Sequence, residues 1–185
     1  MEAGETITLK RDVEAAIVPS GMRVTLMQGE PAQITQSLGG AYTVLVNGNL
    51  FRIEGKDADA LGLEIAVAPR PATTGPLTVE QLEKQIWDEL KNVYDPEIPV
   101  NVVDLGLIYD CHLTPAEDGG TTYRADVKMT LTAPGCGMGP VLQQDVSNRL
   151  MSMDGIDEAN VELVWEPPWN QGMMSESARL QLGLY

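Results

Sequence analysis

The stretch Tyr123-Arg-Ala-Asp-Val-Lys-Met-Thr-Leu-Thr-Ala-Pro-Gly-Cys-Gly-Met-Gly-Pro140 runs from a strand pattern through a glycine-rich turn to a helix start. Tyr123, Ala125, Val127, Met129 and Leu131 alternate with Arg124, Asp126, Lys128 and Thr130. A period of two predicts a strand with the first set inward and the second toward solvent. Proline suits a first helical position. From Pro140 to Met153 the apolar residues Leu142, Val146, Leu150 and Met153 recur at helical spacing, which predicts a helix.

Upstream, Leu107, Tyr109, Cys111 and Leu113 fall on one face of a second strand, with Ile108, Asp110 and His112 on the other. Residues Pro115 to Gly120 suit a hairpin loop between the two strands. Earlier still, Thr78 and Gln81 have the spacing of a capping box, with Leu77 and Leu82 placed as a hydrophobic staple. Val79, Leu82, Ile86, Leu90 and Val93 mark one buried helix face, which Asp95-Pro96 ends because a residue before proline avoids the helical region. Downstream, Val161, Leu163 and Trp165 alternate as a last strand. Pro167-Pro-Trp169 follows, then a short helix capped by Ser175 and stopped by Gly183. The order helix-strand-strand-helix-strand predicts an α+β fold, a two-layer α/β sandwich with both helices on one side of the sheet.

A small β-rich, barrel-like domain is expected before it, over residues 1–68. Ile7 and Leu9, and Val24 and Leu26, alternate with polar neighbours. Tyr42–Val46 and Leu50–Ile53 flank Asn47-Gly48-Asn49, a strong hairpin signal. Asp57 to Leu61 reads as a helical turn. Prolines and glycine crowd residues 69–76, which predicts a linker, so residues 77–185 form the second domain.

The chain carries 27 acidic and 12 basic residues, a formal charge of −15. That balance repels phosphate backbones and anionic lipid, so no nucleic-acid or membrane partner is expected. No apolar run approaches the roughly 20 residues that span a bilayer. The start Met1-Glu-Ala-Gly-Glu5 has no secretion-signal pattern, and a cytoplasmic location is expected. With two cysteines and one histidine, a complete metal site of Cys and His alone is hard to build within one chain.

Cys136 is the leading chemical candidate. It stands between two glycines just ahead of a helix, where unpaired amides and the helix dipole favour an anion such as a thiolate. A small apolar cysteine filling a turn is the alternative. Cys111, beside Tyr109 and Leu113, reads as a core residue. His112, on the opposite face, reads as a solvated histidine. Asp95, Glu97 and Asp104 share a proline-stiffened connection. They suit either turn-making or an iron site near the thiol. Trp165 and Trp169 flank a proline pair, and Trp169 either anchors a protein partner or staples the tail to the sheet.

Asp95-Pro-Glu-Ile-Pro-Val100, Val103-Asp-Leu-Gly-Leu-Ile-Tyr109 and Leu131-Thr-Ala-Pro-Gly-Cys136 together resemble the PaaD-like iron–sulfur cluster assembly domain family. The resemblance covers about residues 77 to 169. The N-terminal module, the Trp-Pro-Pro-Trp tail and Met174-Ser-Glu-Ser-Ala-Arg179 look most like its SufT branch. The family's characteristic cysteine falls on Cys136, and its other motif positions on Asp95, Glu97 and Asp104. Many relatives have proline after the cysteine, whereas Gly137 stands here.

The resemblance implies an accessory, non-enzymatic factor that helps mature iron–sulfur client proteins through contacts with assembly factors and client apoproteins. Cys136 would be a transient or shared ligand of iron or a labile cluster, supported by Asp95, Glu97, Asp104, Thr132 and Gly135. No cofactor is expected to be needed for folding. A homodimer would bring two copies of Cys136 to one axis. Two other functions remain open, a pure protein-interaction module and a thiol-dependent enzyme. The enzyme needs a base near the sulfur, and His112 is the sole histidine.

Overall fold

The computed structural model describes residues 6–65, 77–116 and 121–184. The expected linker, 69–76, and the tip of the predicted hairpin loop, 117–120, lie outside the described residues. The chain forms two compact units, Met1–Arg70 with Pro96–Pro99, and Pro71–Asp95 with Val100–Tyr185.

The first unit is one antiparallel six-stranded sheet. Its strands are β1 (Thr6–Thr8), β2 (Val13–Val18), β3 (Arg23–Leu26), β4 (Pro31–Leu38), β5 (Ala41–Val46) and β6 (Asn49–Glu54). Their order is β1-β4-β5-β6-β2-β3. β1 and β3 are the ends of this order, and no ladder joins them among the described residues. The β5–β6 hairpin forms at the predicted turn, with Asn47 and Gly48 both left-handed (φ 50 and 82). Inward-facing Val13, Ile34, Val44, Phe51 and Ile53 make its core. A 3-10 segment, Gly55–Leu61, adds Ala60 and Leu61.

The second unit has the predicted order. α1 (Val79–Leu90), β7 (Ile108–Pro115), β8 (Tyr123–Met129), α2 (Gly139–Met151) and β9 (Ile156–Leu163) precede a short α3 (Glu176–Gln181). The capping box forms, with Gln81 N–H donating to Thr78 Oγ1 and Thr78 N–H to Gln81 Oε1. β8 is central, antiparallel to β7 and parallel to β9. The parallel crossover is α2. α1 and α2 cover one sheet face, with α1 against β7 and α2 against β9. Leu82, Ile86 and Leu90 on α1 and Leu142, Val146 and Leu150 on α2 are buried, as are Ala125, Val127 and Met129 on β8. Ser175 caps α3 by accepting from the Ala178 amide.

Several boundaries differ from the sequence expectation. α1 ends at Leu90, not at Asp95, because Tyr94 bridges Asn101 and Val102 N–H donates to Val93 O. Val79 sits at the helix start and is exposed, although the periodicity placed it inward. Thr130 was expected at solvent but is buried where β8 ends, its amide donating to Leu107 O. β9 stops at Leu163, leaving Trp165 exposed. In β7 the register slips between Ile108 and Asp110. A bulge breaks strict alternation, so Tyr109 does not share the face of Cys111 and Leu113 as predicted.

Candidate functional site

Topology alone gathers the predicted motifs. β8 and β9 are parallel, so the loops leaving them emerge at the same end of the sheet. β7 runs opposite, so the turn entering it lies at that end too. The Val103–Leu107 turn, the Cys136 loop and the tail after β9 therefore lie at one end of the sheet.

The entry turn is held firmly. Asp104 accepts from Asn101 Nδ2 at 2.6 Å, and its amide donates to Asn101 Oδ1 at 2.9 Å. Its carbonyl accepts from Ser175 N–H at 2.8 Å. The carboxylate of Asp104 is thus a turn-making group and a half-buried one. Trp169 Nε1–H donates to Leu105 O at 2.8 Å, and Tyr109 O–H donates to Pro167 O at 2.7 Å. Gly106 is left-handed (φ 74), and a Cβ there would lie 2.3 Å from Met173 O. Only glycine admits this approach of the tail. Trp169 therefore staples the tail, one of the two roles its sequence context allowed.

The cysteine loop is held lightly. Cys136 is half-buried and free. Its amide donates to Ala133 O at 3.4 Å, and its carbonyl accepts from Gly139 N–H at 3.1 Å. Gly135 before it is left-handed (φ 78), and a Cβ there would meet nothing within 4 Å. α2 begins without a side-chain cap, and Pro140 supplies no amide. Among the described residues, no acceptor is found for the amides of Gly137, Met138 or Val141. Such donors at a helix start favour negative charge in front of them. Thr132, between β8 and the loop, is half-buried.

The remaining candidates are spread out. Asp95 is buried, with its amide donating to Val100 O. Glu97 is exposed within Pro96–Pro99, the segment that groups with the first unit. Asp95 and Asp104 belong to the second unit with Cys136. Among the described residues, no three His, Cys, Asp or Glu side chains stand together as a metal site.

Cys111 opposes Val127 on the helix-facing side of β7. Burial, reinforced by the charges of Asp110, Glu83 and Asp126, pushes its thiol up to about 11. A thiol so protonated is a poor nucleophile and ligand, in keeping with a packing role. His112 lies on the open face, with Nδ1 3.4 Å from Asp110 Oδ2 and Nε2 3.9 Å from Asp126 Oδ2. Neither Asn101 nor Ser175 was singled out as a support of the site from the sequence. The Asn-x-x-Asp spacing of Asn101 and Asp104 was the available signal, since Asn side chains readily bond a backbone group a few residues on.

Residues 83–163 match the profile of a family described as iron-sulfur cluster assembly protein. Three bacterial relatives are named Fe-S protein maturation auxiliary factors. The one from Porphyromonas gingivalis is 47% identical over 103 residues, 56% of this chain and 92% of that one. YitW of Bacillus subtilis is 37% identical over 105 residues, 57% of this chain and 97% of that one. SufT of Staphylococcus aureus is 39% identical over 92 residues, 50% of this chain and 98% of that one. A crystal structure of a domain of unknown function, DUF59, from Bacillus anthracis superposes with a TM-score of 0.51 at 34% identity, covering 57% of this chain and 95% of that chain. These relatives are matched nearly end to end by little more than half of this chain. On the identity and coverage of those relatives, and with its cysteine loop at the sheet end, the chain belongs to the iron–sulfur cluster assembly protein family.

Proposed function

We propose that this chain is an accessory factor in iron–sulfur cluster assembly, aiding the maturation of client apoproteins through brief contact at Cys136. The observation that carries the thiol's role is its setting: a free cysteine in a lightly tied loop, followed by amides for which the described residues offer no acceptor. A thiolate ligand gains from such donors, and a loose loop adapts to a partner.

The cluster is cargo in this reading. Clusters are held by several thiolates, four in the common types, and one chain offers a single suitable thiol. The donor set of one chain does not fit a resident cluster, and the ligands that complete the shell belong to a partner, a client or a second copy. The role in this reading is that of an accessory, non-enzymatic factor, which the relatives' description as auxiliary factors supports. The cytoplasm is the expected compartment, since free thiols persist there. No helix among the described residues is long and apolar enough to cross a membrane.

The test is complementation. Cells lacking the chain receive wild type, Cys136→Ser or Cys136→Ala, and the activity of a cluster-dependent client is read beside its protein level. Both variants should melt with the wild type yet leave the client inactive. Full client activity with Cys136→Ser would remove the thiol from the mechanism. The interaction-module reading would then stand in its place.

A further inference from the structure

The open face of the second unit's sheet carries a groove that the thiol site does not use. Tyr109 from β7 and Val164 just past β9 line its floor, and Pro167 and Met173 of the tail line a wall. Its volume is about 640 Å³, within the range of about 300–1,000 Å³ typical of binding pockets. The wall is built in place, because Tyr109 O–H holds Pro167 O and the backbone of Met173 lies against Gly106.

The rim is charged unevenly. Lys128 and Glu166 both line the groove. The register sets Lys128 between Asp110 on β7 and Glu162 on β9, and directly opposed residues share a sheet face. Among the described residues, Lys128, Glu162 and Glu166 make no ion pair or side-chain hydrogen bond, and Asp110 faces only His112. Glu166 thus lines the groove beside Lys128, and Asp110 and Glu162 flank that lysine on the same sheet face, three carboxylates near one ammonium. The chain's charge of −15 adds a long-range field that draws cations and repels a second copy.

We propose that this groove docks a cationic segment of a partner protein, seating an apolar side chain on Tyr109 and Val164 while a neighbouring Lys or Arg pairs with Glu166 and the carboxylates flanking Lys128. Charge complementarity selects this occupant over an acidic segment, which three carboxylates oppose, and over a second copy. Cys136 takes no part.

Fluorescence anisotropy of the full chain at physiological salt tests it, using a fluorescein-labelled nonapeptide of alternating leucine and arginine and its leucine–glutamate counterpart. The arginine peptide should bind saturably. Glu166→Lys should weaken it about tenfold, as reversing a charge at the contact does, and Lys128→Gln should tighten it. Glu80→Lys, an equal charge change at an exposed position on α1 across the sheet, should alter binding less than about twofold. Equal losses in Glu166→Lys and Glu80→Lys would reduce the effect to net charge and overturn the proposal. So would tighter binding of the glutamate peptide, or no saturable binding. The measurement needs neither client nor cluster, so its failure leaves the Cys136 reading untouched.

Discussion

Two segments meet at one end of the second unit's sheet and are built in opposite ways. The Asn101–Tyr109 turn is held by the Asn101–Asp104 pair and by the tail, through Trp169, Ser175 and Pro167. The Cys136 loop has two backbone hydrogen bonds of its own, one of them 3.4 Å long. The difference teaches where rigidity is useful. A fixed turn sets the shape of the sheet end, while the loop carrying the thiol is left with few ties of its own. The two cysteines are both half-buried, one on the helix-facing side of β7 and one in the lightly tied loop.

The sharpest way to break the comparison is to add one methyl group to each segment. Gly106→Ala forces a left-handed alanine into Met173 O and should cost about 3 kcal/mol. Gly135→Ala has the same backbone strain but open space, and should cost about 1 kcal/mol. All three tryptophans lie in the second unit, so urea titration followed by tryptophan emission reports both. Equal losses would show that the turn is no tighter than the loop.

Alkylation sharpens the contrast between the cysteines. In Cys136→Ser only Cys111 remains, and with its thiol pushed up to about 11 it should label about a hundredfold more slowly at pH 7 than an ordinary thiol. Its rate should climb with pH until about 11. Fast labelling at neutral pH would mean that β7 opens readily.

Trp169→Phe keeps an aromatic ring but loses the bond to Leu105 O. It should lower the second unit's stability by about 1 kcal/mol and loosen the entry turn. Hydrogen exchange at the Leu105–Leu107 amides is the readout, with the Cys136 loop as the internal reference.

The smallest effect belongs to the open sheet face. Burial raises the Asp126 carboxyl, but hydrogen bonds from Asn160 and Arg124 and the Arg124 charge outweigh it, so it titrates below the usual carboxylate range. A carboxyl lowered by folding stabilises fully above its unfolded value of about 3.9. That contribution is lost as pH falls through the lower folded value. Acid unfolding of Asp126→Asn should therefore show a shallower loss of stability below about pH 4. An unchanged acid limb would mean the network is worth little.

Much of this architecture was legible from residue patterns because local physics carried it. Alternation along Tyr123–Leu131 reports which face is buried, and the Thr78–Gln81 spacing satisfies helix-start amides within one turn of chain. The Asn47-Gly48 turn likewise follows from backbone freedom. What misled was each residue whose partner is distant in sequence. Thr130 reads as a solvent position until Leu107 bonds its amide, and Tyr109 reads as part of an alternating face until the bulge turns it to the tail. Val93 keeps its apolar place in the periodicity although the chain has already left the helix to pair with Val102.

The sequence by itself determined the α+β order of elements, the hairpin and the caps, because these depend on side-chain period and turn chemistry read along the chain. Only the tertiary structure decided that Trp169 staples the tail, that Asp104 serves its own turn, and that a groove opens beside Tyr109. Those depend on which strand termini share one end of the sheet. That is set by a parallel β8–β9 pairing across α2, with β7 running the other way, and no local pattern along the chain encodes it.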